Sequence, residues 1–113
     1  MKLRIDPKKI SFRLNLGELD LLLTQGDIME RTNLPQGCLI YKIICLPAGS
    51  PPIFTAGKGN FTLSLAQDVI ENHRGNLPSL AGIISEFPSR EGGIIQISLE
   101  VNLKKKIRRR SKS

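Results

Sequence analysis

The segment IIQISLEVNL, residues 94–103, carries the clearest structural signal in the sequence. Apolar residues at positions 95, 97, 99, 101 and 103 alternate with polar residues at 96, 98, 100 and 102. Because successive side chains of a β-strand point to opposite faces of the sheet, this alternation predicts a strand with one buried face. The strand is long, so we also expect that its edge could recruit a second copy into a homodimer.

Apolar stretches also flank three turn-like segments, at 6–9, 57–60 and 88–93. Gly, Pro, Asn and Asp in these segments favour tight turns, and each segment therefore predicts a β-hairpin. The last hairpin would join a strand over 80–87 to the strand over 94–103.

Residues 38–46 are apolar at nearly every position, which predicts a central strand that is covered on both faces. A turn over 33–37 precedes this strand, and residues 27–31 show a weaker strand pattern before the turn.

A first helix is predicted from its end signals and its apolar spacing. Asn15 lies three residues before Glu18, which is the spacing of a capping box, and Gly26 is placed to end the helix. Leucines at 16, 19, 22 and 23 fall on one face of a helix between these two signals.

A second, shorter helix is predicted after residue 64. Ser64 and Gln67 repeat the capping-box spacing, Asp68 would lie in the first turn, and Gly75 would close the helix. The order of elements is hairpin, helix, several strands, helix, hairpin. This order predicts an α+β fold with a mostly antiparallel or mixed sheet of about six to eight strands and two short helices.

The chain has 113 residues, enough for one domain. Its formal charge of +7 comes from the last ten residues, because residues 1–103 contain ten acidic and ten basic side chains. We therefore divide the chain into a single domain, 1–103, and a basic C-terminal tail, 104–113, predicted to be flexible. The basic residues of this tail are Lys104, Lys105, Lys106, Arg108, Arg109, Arg110 and Lys112.

The start of the chain also has a familiar pattern, in KLRI at 2–5, RL at 13–14 and EL at 18–19. It resembles a family of small, uncharacterised bacterial proteins that begin with a basic hairpin and an acidic, Leu-bearing helix. The resemblance extends over about residues 1–101 in the order of elements. It implies no activity and assigns no functional residue.

No apolar run suited to a signal peptide occurs at the start of the sequence, and no apolar stretch approaches the ~20 residues that span a bilayer. We therefore expect a cytoplasmic protein without a membrane span.

Cys38 and Cys45 are the only cysteines, and they are seven residues apart on one predicted strand. At ~3.3 Å per residue they would lie about 23 Å apart and face opposite sides of the sheet. This separation excludes a mutual disulfide or a shared metal ion, so we expect two buried thiols.

Three other patterns have ordinary structural explanations. His73, the only histidine, would lie near the end of the second helix, where the helix dipole and solvent favour an imidazole. Residues 57–59, Gly-Lys-Gly, are too short for a phosphate loop and predict a hairpin turn. Asp68 and Glu71 share a helical face, where the helix N-terminus and a Glu71–Arg74 ion pair would account for them.

These observations predict no catalytic residue, cofactor or metal site. The leading hypothesis is a non-enzymatic binding or scaffold domain. A second hypothesis is non-specific binding of nucleic acid, another polyanion or an anionic membrane surface through the basic tail. A third is a hydrolase whose carboxylates are brought together only by folding, so enzymatic activity stays open.

Overall fold

The computed structural model describes residues 1–78 and 82–103, which form eight strands and two helices within those ranges. The elements are β1 (Lys2–Asp6), β2 (Lys9–Leu14), α1 (Leu16–Gln25), β3 (Asp27–Leu34), β4 (Gly37–Leu46), β5 (Ile53–Gly57), β6 (Asn60–Ala66), α2 (Gln67–Gly75), β7 (Ile83–Pro88) and β8 (Ile94–Val101). The predicted α+β fold with two short helices is confirmed.

The eight strands divide into two mixed sheets of four strands. Sheet A has the order β1-β2-β8-β7, and sheet B has the order β3-β4-β6-β5. In each sheet the two central strands are parallel and each outer strand is antiparallel to its neighbour. All three predicted hairpins are present, although residues 80 and 81 of the predicted strand over 80–87 lie outside the described residues.

The chain contains the same topological unit twice. The order β1-β2-α1-β3-β4 is repeated by β5-β6-α2-β7-β8. Each unit places its first hairpin in one sheet and its second hairpin in the other, so α1 leads from sheet A to sheet B and α2 leads back. The second strands of the hairpins then pair across the units, β2 with β8 and β4 with β6.

The core lies between the inner faces of the two sheets and the buried sides of the helices. Phe54 of β5 contacts Phe12 of β2 edge-on at a centroid distance of 6.4 Å, and Phe87 of β7 at 6.2 Å. Leu19 and Leu22 of α1 and Ile70 of α2 are completely buried in the same core. Each such side chain contributes roughly 1.5 to 3 kcal/mol by its removal from water.

The last strand, β8, is central to sheet A because it pairs with β2 on one side and β7 on the other. The alternation of apolar and polar residues in β8 therefore reflects one face of sheet A that packs on the core and one face that points outward. The expectation that this long strand offers an edge to a second copy is wrong, because both of its edges are already paired. The outer strands are β1 and β7 in sheet A, and β3 and β5 in sheet B.

The start of α2 also differs from the prediction. Ser64 is buried inside β6, and the cap position is Ala66, which makes no side-chain cap hydrogen bond. The reason is that β6 continues its parallel pairing with β4 as far as Ala66, opposite Leu46. Among residues 1–78 and 82–103, no helix combines the length and apolarity needed to cross a bilayer.

Candidate functional site

The outer face of sheet A is polar, and strand register fixes which side chains are neighbours. Lys2, Arg13 and Glu100 form one row across β1, β2 and β8, since Lys2 is opposite Arg13 and Arg13 is opposite Glu100. The next row contains Arg4, Ser11, Ser98 and Ile84, and the third contains Asp6, Lys9, Gln96 and Glu86.

A hydrogen-bonded cluster lies at the centre of this outer face. Ser11 and Ser98 are buried, their hydroxyl oxygens are 3.1 Å apart, and the Ser98 hydroxyl lies 3.1 Å from Glu100 Oε2. A carboxylate can only accept, so the Ser98 hydroxyl is the donor to Glu100. Glu100 also accepts from Arg13 Nε at 3.1 Å and faces Lys9 Nζ at 3.6 Å.

The environment of Glu100 keeps it ionised. Burial by itself would raise its pKa, but the hydrogen bonds from Ser98 and Arg13 and the positive charges of Arg13 and Lys9 outweigh burial and lower that pKa. Such a carboxylate is a structural anion rather than a proton donor at neutral pH. The cluster therefore fixes the orientation of two cations on the sheet without offering an evident reactive group.

Residues 1–103 have no net charge, but their acidic and basic side chains are concentrated in different elements. The hairpin of β1 and β2 contains five basic residues and one acidic residue, Asp6. In contrast, α1 and β3 contain four acidic residues and one basic residue, Arg31. Lys2 and Lys8 of the hairpin make no ion pair within the described part of the chain, so their charges are available to a ligand.

The candidate binding residues of the basic tail, 104–113, lie outside the described residues. The described residues end at Leu103, just before the tail. Val101 is opposite Leu14 at the end of the β2–β8 pair, and the Asn102 N–H donates to the Leu14 carbonyl at 2.8 Å. Val101 is therefore next to the row that contains Lys2, Arg13 and Glu100.

A cleft of about 240 Å³ opens between the start of the chain, α1 and β3. We call it the N-terminal cleft; its lining residues are Met1, Glu18, Leu21, Gln25, Ile28, Met29 and Glu30. The ammonium group of Met1 donates to the Glu18 carboxylate and lies 3.6 Å from Glu30 Oε1. Glu18 additionally accepts from the Asn15 N–H at 3.0 Å, as half of the α1 capping box.

Glu18 and Glu30 are two carboxylates that share a cleft, which is the arrangement a hydrolase with assembled carboxylates would need. Burial by itself would raise the pKa of Glu18, but the hydrogen bonds from the Met1 ammonium and the Asn15 N–H, with the ammonium charge, lower that pKa. A carboxylic acid that donates a proton at neutral pH needs a raised pKa. Glu18 is therefore held as an anion and is not suited to be the proton donor of such a pair.

The family of the chain was identified by comparison with protein-family models. A model described as a family of unknown function, DUF7009, matches residues 1–105. The chain belongs to this family. The match covers both topological units of the DUF7009 domain and reaches the first two residues of the basic tail. The predicted membership of an uncharacterised family is confirmed, and no curated protein matches the chain.

The cysteines of the DUF7009 domain lie at opposite ends of β4, as predicted, and both are free thiols. Both are half-buried rather than buried as predicted, and Cys45 packs against the hydrophobic core. Burial, together with the carboxylate of Glu71, raises the pKa of Cys45, which keeps this thiol protonated. In the described ranges no group of three or more His, Cys, Asp and Glu side chains could hold a metal ion.

The only histidine of the DUF7009 domain lies in the last turn of α2, as predicted, but it is buried rather than solvated. His73 is 9% exposed, and its Nε2 has no hydrogen-bond partner among residues 1–78 and 82–103. It lies three residues after Ile70 and so shares the buried side of the helix. Burial lowers the pKa of His73. The prediction of a solvated imidazole is wrong because this face packs inward.

The loop and helix motifs have structural roles in the DUF7009 domain. Lys58 and Gly59 form the β5–β6 turn as predicted, with positive φ angles of 50° and 81°. A Cβ at Gly59 would lie 2.8 Å from the Cys38 carbonyl oxygen, so the turn needs glycine there. Asp68 accepts from the Gly49 N–H at 3.0 Å.

The ion pair of α2 also differs from the prediction. Glu71 accepts from Gln67 Nε2 at 2.9 Å, whereas Arg74 Nε donates to Asp20 of α1 at 2.9 Å. The predicted Glu71–Arg74 pair is therefore replaced by a contact between the two helices. Neither the N-terminal cleft nor the polar cluster had a sequence signal, because each combines residues that are far apart in the chain.

Proposed function

We propose that this DUF7009 domain is a non-enzymatic binding domain whose ligand is a polyanion. In this proposal the basic tail and the adjacent end of the outer face of sheet A, with Lys2, Arg4 and Arg13, form one continuous cationic surface. The observation that carries the proposal is the pairing of Val101 with Leu14, which lies next to the row of Lys2, Arg13 and Glu100 and three residues before the tail in the sequence.

The energetics favour a phosphate backbone as the ligand. Each cation that neutralises a phosphate releases condensed counterions, which makes binding strong at low salt and weak at high salt. About five phosphate contacts by the tail imply a log–log salt slope near −4.5, or roughly 500-fold weaker binding at 200 mM than at 50 mM salt.

We propose that recognition is independent of base sequence. Proteins that bind single-stranded nucleic acid stack the bases on exposed aromatic rings. The chain has four Phe, one Tyr and no Trp. All four Phe belong to the core or pack against it, and Tyr41 is buried with its hydroxyl 2.9 Å from Thr32 Oγ1. Affinity should therefore follow the charge density of the ligand.

The test is a salt series of binding to double-stranded DNA, RNA and anionic vesicles. Deletion of residues 104–113 should leave the fold intact and remove most of the salt-dependent binding. Lys2→Gln with Arg4→Gln should lower the magnitude of the salt slope by about two, one for each lost contact. The matched control is Arg31→Gln with Lys58→Gln, which removes two charges from sheet B.

Two results would contradict the proposal. The first is full binding by the truncated chain, because the tail supplies the charge excess. The second is a loss of binding in the control variant equal to that in the Lys2 and Arg4 variant, because that result would show that affinity depends on net charge alone. Binding to vesicles but not to nucleic acid would instead identify an anionic membrane surface as the polyanion.

We further propose that the protein acts in the cytoplasm. The two free cysteines of β4 fit a reducing compartment, in which thiols stay unpaired. A homodimer through the outer strands also stays a prediction. Cell fractionation would test the first proposal, and the molar mass in solution across a range of concentrations would test the second.

A further inference from the structure

The N-terminal cleft has an unusual combination of exposed apolar side chains and carboxylates. Leu21 of α1 is 48% exposed and Met29 of β3 is 56% exposed, although both line the cleft. Glu30 lies beside them with its side chain half-exposed, and within residues 1–78 and 82–103 its single ion pair is the 3.6 Å contact with the Met1 ammonium. A ligand that covers this cleft would need an apolar group with cations next to it.

The cleft lies near the end of β8, which precedes the basic tail in the sequence. Met1 precedes Lys2, whose partner is Arg13, while Val101 is the partner of Leu14. Met1 and Val101 are thus at about the same level of sheet A, separated by the single strand β2. Since neighbouring strands are about 4.8 Å apart, the two residues are about 10 Å apart.

The tail has the composition that the cleft requires. Its sequence is KKKIRRRSKS, in which Ile107 is the single apolar residue and has three basic residues on each side. Ile107 is the fourth residue after Leu103, so an extended chain could place it about 13 Å from that point. This reach exceeds the separation of about 10 Å between Val101, at the end of β8, and Met1, one of the residues that line the cleft.

We propose that residues 104–113 dock into the N-terminal cleft of the same molecule. Ile107 covers Leu21 and Met29, and the neighbouring basic residues lie against Glu30 and the outer side of Glu18. This contact does not depend on polyanion binding. If both occur, the tail cannot occupy both sites, and a polyanion competes with the cleft for it.

The test uses the full chain and a carbodiimide, which joins a lysine amine to a nearby carboxylate. At high dilution and without any polyanion, Lys104, Lys105 and Lys106 should form crosslinks to Glu30 and Glu18 in the monomer. Mass spectrometry should find these at least five times as abundant as crosslinks to the exposed carboxylates of Asp68, Glu71 and Glu91.

Two matched pairs of variants separate docking from charge attraction. Ile107→Asp should lower the cleft crosslinks at least five-fold, whereas Ser111→Asp, which adds the same charge and keeps Ile107, should lower them by less than two-fold. Leu21→Ala should lower them, whereas Val69→Ala, at an exposed apolar position of α2, should not. Circular dichroism confirms that each variant is folded.

Crosslinks spread evenly over all exposed carboxylates would overturn the proposal. So would an equal effect of the two tail substitutions, since the apolar contact would then have no role. Cleft crosslinks confined to covalent dimers would also overturn it, because the tail would then reach a second copy. Polyanion binding by the same preparation is measured separately and can fail or succeed without changing these outcomes.

Discussion

The two helices have equivalent positions in the repeated unit but are built differently. Helix α1 has a complete capping box from Asn15 and Glu18, a left-handed Gly26 at its end, and two buried leucines. Helix α2 has no side-chain cap, and its buried residues are Ile70 and His73. The difference shows that α1 is specified by its own sequence, whereas α2 depends on its surroundings in the fold.

The largest expected effects come from the buried side of each helix. Leu19→Ala or Leu22→Ala should lower the free energy of unfolding by ~2 to 5 kcal/mol, and Ile70→Ala in α2 by a similar amount, since each leaves a cavity. Chemical denaturation measures these changes. Leu21→Ala and Val69→Ala are the exposed controls, and equal losses at these positions would mean that the buried sides are wrongly assigned.

Substitutions at the N-termini of the two helices should have smaller and unequal effects on the free energy of unfolding. Asn15→Ala removes the oxygen that accepts from the Glu18 N–H at 2.7 Å, and it should cost about 1 kcal/mol in unfolding free energy. Gln67→Ala at the start of α2 removes only an exposed hydrogen bond to Glu71 and should cost a few tenths of that amount. If both substitutions cost the same, the contrast between a capped and an uncapped helix has no energetic basis.

His73 should give α2 a pH dependence that α1 lacks. Its pKa is lowered by burial from the ordinary 6.5, so the unfolded chain takes up a proton more readily than the folded chain. The stability present above pH 6.5 is therefore lost as the pH falls from 6.5 through the folded pKa. We expect the unfolding free energy of the wild type to fall more steeply from pH 7.5 to 5 than that of His73→Leu. Parallel curves would contradict this expectation.

The smallest effect should come from the ion pair between the helices. Asp20 and Arg74 are both well exposed, at 52% and 40% of their side-chain surface, and solvent screens such pairs. Asp20→Ala should therefore leave the denaturation midpoint unchanged within error. A clear loss, reversed by Asp20→Glu, would show that this contact, rather than the core, holds α2 in place.

The contrast between the two helices also explains how much of the fold could be predicted from the sequence. The start and end of α1 were predicted because caps and glycine act within a few residues of chain. The start of α2 was misplaced because Ser64 has the spacing of a cap, but its backbone pairs with Ile44 of β4. Pairing between distant strands leaves no local signal, so the division into two sheets was not predicted.

The candidate sites were harder to predict than the fold, because they also depend on contacts between residues that are distant in the sequence. The tail was evident from composition, but the closeness of Val101, at the end of β8, to Arg13 depends on the parallel pairing of β2 with β8. The N-terminal cleft brings Glu18 and Glu30 to one ammonium group across a helix and a strand. The alternation of β3 is weak because most of its side chains are exposed, which hid the position of Glu30.

The pairing of β2 with β8 also sets when the domain can form during synthesis. Ile10 is opposite Ile97, so the first hairpin cannot complete its sheet until almost the whole chain has left the ribosome. Until then β2 has an open edge, which nascent hairpins of other chains could also occupy. In a fragment of residues 1–46, the normal partner of β2, β8, is missing. The edge of β2 could then be paired by β4 of a second copy, because β4 has the same place in the first unit as β8 has in the second. Such a fragment should therefore form a dimer or stay unfolded.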